Sequence, residues 1–366
     1  MKWIGSTILL LLLGLLTACA DAPTLSLVMD PTPTPLKPVN GLSIYSQDKA
    51  IDPVTLTNFA NQFQVKLKYD TQADNETALA DIQAGLADYD LVILSDYFVS
   101  RLRAEGIFAP LNHENIPNFN RIDPAFINPV FDPGNRYCVP YQWGSMGLGY
   151  NLQASGQEIQ SWADFFEVTP PLRLGLPDDS RLSLAAALLY AGYSPNTTDD
   201  VEINAATALL ENHAAQIVTY APAAGQALLA GGQVDAVFER SGAIFQLMES
   251  DPAIRYAIPS EGSVMWIDNL CLLASASQPE LAEKFINYVL DPQVGAALAN
   301  ASRYGSPNQA ALSYLSAADR TNPVLYPDDD LRQRLFFVVN VDPATGQLYD
   351  QTWAELASGF DALKSN

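Results

Sequence analysis

The stretch 262–274, Gly-Ser-Val-Met-Trp-Ile-Asp-Asn-Leu-Cys-Leu-Leu-Ala, sets one indole and one carboxylate inside an apolar run. Residues 264–273 are mostly β-branched, aromatic or aliphatic, which predicts a buried strand. Asp268 interrupts it. A carboxylate in the middle of a buried strand is costly unless a cation or several donors meet it, and the neighbouring residues supply neither. Trp266 precedes it by two positions, and on a strand that spacing puts both side chains on one face. An apolar plate beside an anion suits an organic cation, through a charge-assisted hydrogen bond and a cation–π contact. The same residues also admit a plainer reading, in which Asp268 ends the strand and caps a turn while Trp266 belongs to the core.

Covalent chemistry has little support elsewhere. His113 and His213 are the only histidines, and the chain has neither His-Glu-x-x-His nor Gly-x-Ser-x-Gly. There is no Cys/His cluster, so no metal and no cofactor is expected. The acidic balance, 41 Asp and Glu against 19 Lys and Arg, excludes the cationic surface on which nucleic-acid binding rests, while it welcomes a cationic solute.

The opening residues set the compartment. Met1-Lys2-Trp3 is a short basic start, and residues 8–16 form an almost unbroken Leu-rich run of roughly half the length a bilayer span requires. Leu16-Thr17-Ala18-Cys19 closes the run and is similar to the lipobox of bacterial lipoproteins, in which the cysteine is lipidated and becomes the mature N-terminus. Residues 1–18 are therefore expected to be a lipoprotein signal peptide. Residues 19–40, with Asp-Pro-Thr-Pro-Thr-Pro-Leu-Lys-Pro, cannot bury a core and read as an extended tether. The protein is expected to be exported and held at a membrane surface by its lipid. Of three cysteines Cys19 belongs to the leader, and Cys138 and Cys271, both in strand-like runs, are the even pair a single disulfide needs in an oxidising compartment. Two buried thiols are the alternative.

The elements that must position Trp266 and Asp268 alternate in type. Residues 42–45, 65–69 and 89–94 read as strands, 54–63 and 77–86 as helices. Fully apolar central strands in β-α-β-α order argue an α/β lobe with a parallel sheet covered on both faces. Ser95, Asp96 and Tyr97 follow such a strand, where open α/β sheets build their sites. A second unit has strands at 172–176, 216–220 and 234–238, the last ending in Glu239, and helices at 182–190 and 203–213. Helices are then expected at 280–290, 294–301, 309–315 and 349–363. Residues 137–151 and 264–274 connect the two units, and two crossings make a hinge.

Along nearly its whole mature length the chain resembles the spermidine/putrescine-binding proteins of bacterial ABC importers. The resemblance is carried by Ser95-Asp96-Tyr97-Phe98-Val99, Phe131-Asp132-Pro133, Val139-Pro140-Tyr141-Gln142-Trp143-Gly144, Asp178-Asp179-Ser180-Arg181, Trp266-Ile267-Asp268 and Tyr304-Gly305-Ser306-Pro307-Asn308, in that order. It implies a two-lobed α/β fold of the type II periplasmic-binding-protein kind with a two-segment hinge. Lobe 1 would comprise 41–140 with about 269–320, and lobe 2 would comprise 141–268 with the C-terminal helices of about 321–366. It further implies a monomer that closes on a polyamine and delivers it to a permease with its ATPase. Carried over by position, Ser95 and Tyr97 supply a hydroxyl and a ring, Asp179 a carboxylate, Trp266 an aromatic wall, Asp268 the acid that grips an amine, and Tyr304 a further ring. Asp179 could instead only cap the helix beginning near Leu182. Tyr97 and Tyr304 could be packing aromatics.

The departures bear on the ligand. Where the family has aromatic rings after Ile44-Tyr45-Ser46, this chain has Gln47, Asp48, Lys49 and Ala50. Leu182 replaces a second acid, and the family's Trp falls to Phe238 or Glu239. Asp48 and Glu239 are new carboxylates beside site positions, so the expected ligand stays cationic but differs from spermidine in length, branching or charge placement. Other readings are a sensor or a carrier of another solute, such as a thiamine-like cation or, through Tyr97 and Tyr304, ferric ion. An exported enzyme on the same scaffold is the remaining alternative.

Overall fold

The structure, a computed structural model, describes residues 41–47, 50–72, 80–84, 88–220 and 225–364. The leader, the tether with Cys19, and Asp48 with Lys49 lie outside the described residues. Strands β1 (Gly41–Gln47), β2 (Lys66–Gln72) and β3 (Leu91–Ser95) begin one sheet region, with β1 parallel to both neighbours. β5 (Leu174–Leu176), β6 (Ile217–Tyr220) and β7 (Ala236–Arg240) begin another, β5 lying parallel between the other two.

Two long strands run through both regions. In β4 (Cys138–Asn151), residues 138–145 pair antiparallel with β9 (Ser263–Leu272), whereas 146–150 pair antiparallel with β7. In β9, residues 268–272 pair with β3, while 263–265 pair with β10 (Leu335–Phe337). β8 (Ile254–Ala257) flanks the far half of β4. The described strands thus run in the order β2-β1-β3-β9-β4-β7-β5-β6, with β4 and β9 as the two crossings.

Both sheet regions are covered on both faces, as apolar strands demand. Around β1 and β3, Leu42, Ile44, Leu91 and Ile93 pack against helices Pro53–Phe63 and Pro279–Val289 through Phe59, Phe285 and Ile286. On the other face Val92 and Leu94 meet Val99 and Leu102 of helix Asp96–Ala104. Around β7, Phe238 joins Trp162, Phe165, Phe166 and helix Ser180–Tyr190 on one side, and Val237 joins Ile244, Phe245 and Tyr256 on the other. Each of the fully buried large side chains contributes roughly 2–3 kcal/mol of transfer free energy. The C-terminal helix Pro343–Lys364 lies on this second core, where the Tyr349 hydroxyl donates to the Thr197 carbonyl at 3.0 Å and Trp353 Nε1 to Asp178 at 2.9 Å.

Most strand ends shift by a few residues from the sequence reading, and three differences matter for the site or the fold. β7 runs on through Glu239 to Arg240, because β4 continues to offer it ladder partners as far as Met146. Residues 309–314 form a 3₁₀ turn capped by Asn308 rather than an α-helix. The last helix starts at Pro343, six residues before the apolar pattern does. Cys138 and Cys271 stand directly opposite each other on β4 and β9 and are joined by a disulfide.

Candidate functional site

β9 sets its two key side chains where the two sheet regions meet. Asp268 is 2% exposed, and its carboxylate accepts from Ser95 Oγ at 2.8 Å and from Gln142 Nε2 at 3.1 Å. Ser95 is brought there by the antiparallel register of β3 on β9, which places it opposite Asp268, and Gln142 by the register of β4. Both partners are neutral donors, so they orient the carboxylate without neutralising it. Gln142 Oε1 has no partner, which leaves a second buried acceptor beside the first.

Trp266 forms the wall. Its ring meets Tyr304 edge-on with centroids 4.6 Å apart. Tyr304 is held by a backbone bridge in which Trp143 and Gly305 exchange two hydrogen bonds of 2.9 Å. Two glycines make room for these rings. A Cβ on Gly144 would stand 2.7 Å from the Trp266 ring, and one on Gly242 would stand 2.4 Å from the Tyr304 ring. Burial pushes the Tyr304 phenol up to about 12, so it is neutral and able to donate at physiological pH.

The cleft has two parts, and Arg240 lines both. One, of about 470 Å³, takes in Tyr69, Gln142, Asp268 and Tyr304. The other, of about 220 Å³, takes in Ser95, Tyr97, Asp179, Arg181 and Trp266. A larger open groove of about 1360 Å³ runs beside helices Pro53–Phe63 and Pro279–Val289. Asn and Gln make up nearly half of its walls, and none of the buried acids faces it, so the cleft is the better site.

The other expected site residues divide. Tyr97 lines the smaller part, its ring edge-on to Phe98 and within 5.8 Å of the Arg101 guanidinium. Asp179 lines the same wall and also caps helix Ser180–Tyr190, accepting from the Leu182 amide at 2.9 Å, so both readings of it hold geometrically. Glu239 does not enter the cleft. It alternates with Phe238 and Arg240 along β7, so its carboxylate turns to the opposite face, toward the amides of Gly225 and Gln226 and its own neighbour Arg240 at 2.8 Å. Asp48 lies outside the described residues. Among those described, no group of three or more metal-ligating side chains is assembled.

Two charged residues in the cleft carry weight that the motif comparison did not give them. Asp96 opens helix Asp96–Ala104, is 4% exposed and accepts from the Ile267 amide at 3.3 Å. Burial, with the Asp268 charge adding to it, raises its carboxyl to about 7. Arg240, on the same face of β7 as Phe238, projects over Trp266 with its guanidinium carbon 4.6 Å from the ring centre. Burial opposes its charge, but Asp268, Glu239 and Asp96 together hold it firmly protonated. The signal in the sequence was strand parity, since Arg240 is two positions after Phe238, and it was lost by ending the strand at Glu239.

Asp96 gives a pH prediction. An unfolded Asp ionises near pH 4, roughly, whereas the folded one does so at about 7. Between those values the folded chain retains a proton that the unfolded chain has released, so stability falls as pH rises through that window. Urea unfolding of the ligand-free protein at a series of pH values is expected to show this loss, on the order of a few kcal/mol, and Asp96→Asn to flatten it. An equally steep slope in the variant would assign the effect to another group.

Comparison with known proteins places this geometry. A family model described as bacterial extracellular solute-binding protein matches residues 55–323. The spermidine/putrescine-binding periplasmic protein of Salmonella typhimurium is 32% identical over 320 residues, covering 87% of this chain and 92% of that one. The putrescine-binding periplasmic protein PotF of Escherichia coli is 29% identical over 340 residues, covering 87% and 91%. Among solved structures, the spermidine/putrescine transporter substrate-binding protein PotD of Streptococcus pneumoniae superposes with a TM-score of 0.82 at 26% identity, over 88% of this chain and 99% of that one. The TpPotD lipoprotein of Treponema pallidum does so at 0.77 and 25%, over 87% and 99%. These relatives are binding proteins by name, and they share the two-lobed fold. With the family model spanning most of the chain and a relative at 32% identity matched over nearly its full length, the chain belongs to the bacterial extracellular solute-binding proteins.

Proposed function

We propose that the protein is the solute-capturing lipoprotein of an ABC importer and that its solute is a polyamine or related organic amine. The observation that carries the reading is Asp268, 2% exposed on the cleft floor, oriented by neutral donors and set beside the Trp266 and Tyr304 rings. An ammonium there gains a charge-assisted hydrogen bond, and a methylene stem gains an apolar wall. The names of the relatives, which bind spermidine or putrescine, point the same way.

The proposed cycle is capture without covalent change. Lobe 1 consists of 41–140 with about 269–320, and lobe 2 of 141–268 with about 321–366, flexing about β4 and β9. The solute favours closure only to the extent that it binds the closed form better. The closed monomer then docks on a permease served by an ATPase. Lipid on Cys19 keeps the protein outside the cytoplasmic membrane, which the export leader and the short Pro-rich tether support.

Calorimetric titration of the mature domain with putrescine, cadaverine, agmatine, spermidine and amino-carboxylates is the test. Saturable binding of at least one amine, together with recovery of the full chain in the membrane fraction and its release by Cys19→Ser, is expected. Silence toward every amine would end the amine reading, and a soluble wild type would end the lipid anchor.

A further inference from the structure

The seat that Trp266 and Asp268 offer to a cation already holds one from the chain itself. Arg240 stacks on the Trp266 ring at 4.6 Å and borders both parts of the cleft. Among the described residues no carboxylate closes on it as an ion pair, and the Tyr304 phenol is its polar neighbour. Its guanidinium fork, a donor array shaped for carboxylates, therefore stands at the junction of the two parts with bonding capacity to spare.

The two parts differ in what they ask of a ligand. The larger adds acceptors, the Asp268 carboxylate and the buried, unpartnered Gln142 Oε1, and among the described residues the one cation on its walls is Arg240. The smaller offers donors. Trp266 Nε1 is buried with no partner, and Arg101, Arg181 and Arg240 all line it. Its acids are Asp96, Asp179 and Asp350, equal in number to those arginines, and Asp96 is partly protonated near neutral pH. Arg181 is committed to the Val339 carbonyl and Asn196, each at 3.0 Å, and of the three arginines only Arg240 also lines the larger part.

A ligand with ammonium groups at both ends would set one of them against the Arg240 guanidinium. We propose that Arg240 turns the cleft into an ammonium–carboxylate site, so that the solute is a short ω-amino carboxylate, its amine on Asp268 and Gln142 and its carboxylate on the Arg240 fork. The inference rests on the amine reading above and narrows it.

Matched pairs that differ only at the far end test it: 1,4-diaminobutane against 4-aminobutanoate, and 1,5-diaminopentane against 5-aminopentanoate. Each pair is titrated calorimetrically into wild type, Arg240→Gln and Arg240→Lys. Wild type is expected to bind one of the amino carboxylates at least tenfold more tightly than the diamine of equal length. Arg240→Gln is expected to weaken the amino carboxylate at least tenfold and strengthen the diamine, reversing the order, while Arg240→Lys keeps the wild-type order. Wild type preferring the diamines overturns the proposal and leaves the amine reading standing, and this comparison requires no variant. An unchanged ratio in a folded Arg240→Gln overturns it as well. If neither class binds wild type, the proposal fails, and the amine reading fails with it only if agmatine and spermidine are silent too.

Discussion

Asp268→Asn is expected to raise the dissociation constant of the bound amine at least a hundredfold. The substitution keeps the size of the side chain and leaves Ser95 and Gln142 with an amide in place of the carboxylate, so the fold should survive it. What is lost is the charge. A hydrogen bond to a charged group contributes about 1.5–3 kcal/mol, and truncating one member of a desolvated charge pair costs about 2–5 kcal/mol. A hundredfold change corresponds to about 2.7 kcal/mol, within both ranges. At 2% exposure, solvent cannot stand in for the missing charge as it would at the surface. Titration of the variant with the solute that binds wild type best is the measurement. A change of less than tenfold, with circular dichroism showing a folded protein, would place the amine elsewhere and remove the main support for the proposed function.

Replacing both bridging cysteines, Cys138→Ser with Cys271→Ser, is expected to produce the largest loss of stability. The bridge closes a loop with a sequence separation of 133, and the chain-entropy account assigns such a loop about 5 kcal/mol, a large fraction of the net stability of an ordinary domain. Both positions are essentially buried where β3, β9 and β4 meet helix Asp96–Ala104, so each serine also places a hydroxyl in an apolar cluster. Urea unfolding monitored by tryptophan fluorescence should show a markedly lower midpoint. Reducing the wild type without substitution separates the two contributions, since it opens the loop but keeps sulfur in the core. A midpoint within experimental scatter of wild type under both treatments would mean that the bridge adds nothing to the stability of the native state.

Much of the architecture was legible in the chain. Apolar runs bounded by polar residues gave β3 and β9, because such runs are a local property of composition, whereas helix Asp96–Ala104 was not read from the sequence. The double crossing at β4 and β9 was readable from their places in the chain, β4 between the two alternating units and β9 after the second. Asp268 stood out because the chain has no local way to meet its charge. Family motifs then supplied Ser95, Tyr97, Asp179 and Tyr304, and all four line the cleft together with Trp266 and Asp268.

The composition and order of residues by themselves determined alternating α/β elements, a strand carrying an indole and an acid on one face, and an acidic chain open to cations. Which charges share the cleft was a matter of register, and register is set between strands far apart in sequence. Ser95 meets Asp268 across 173 residues through the pairing of β3 with β9. One position along β7 decides that Glu239 faces away while Arg240 faces in, because side chains alternate across the sheet. Only the tertiary structure could therefore decide that the acid expected in the site is outside it and that a guanidinium lies over Trp266.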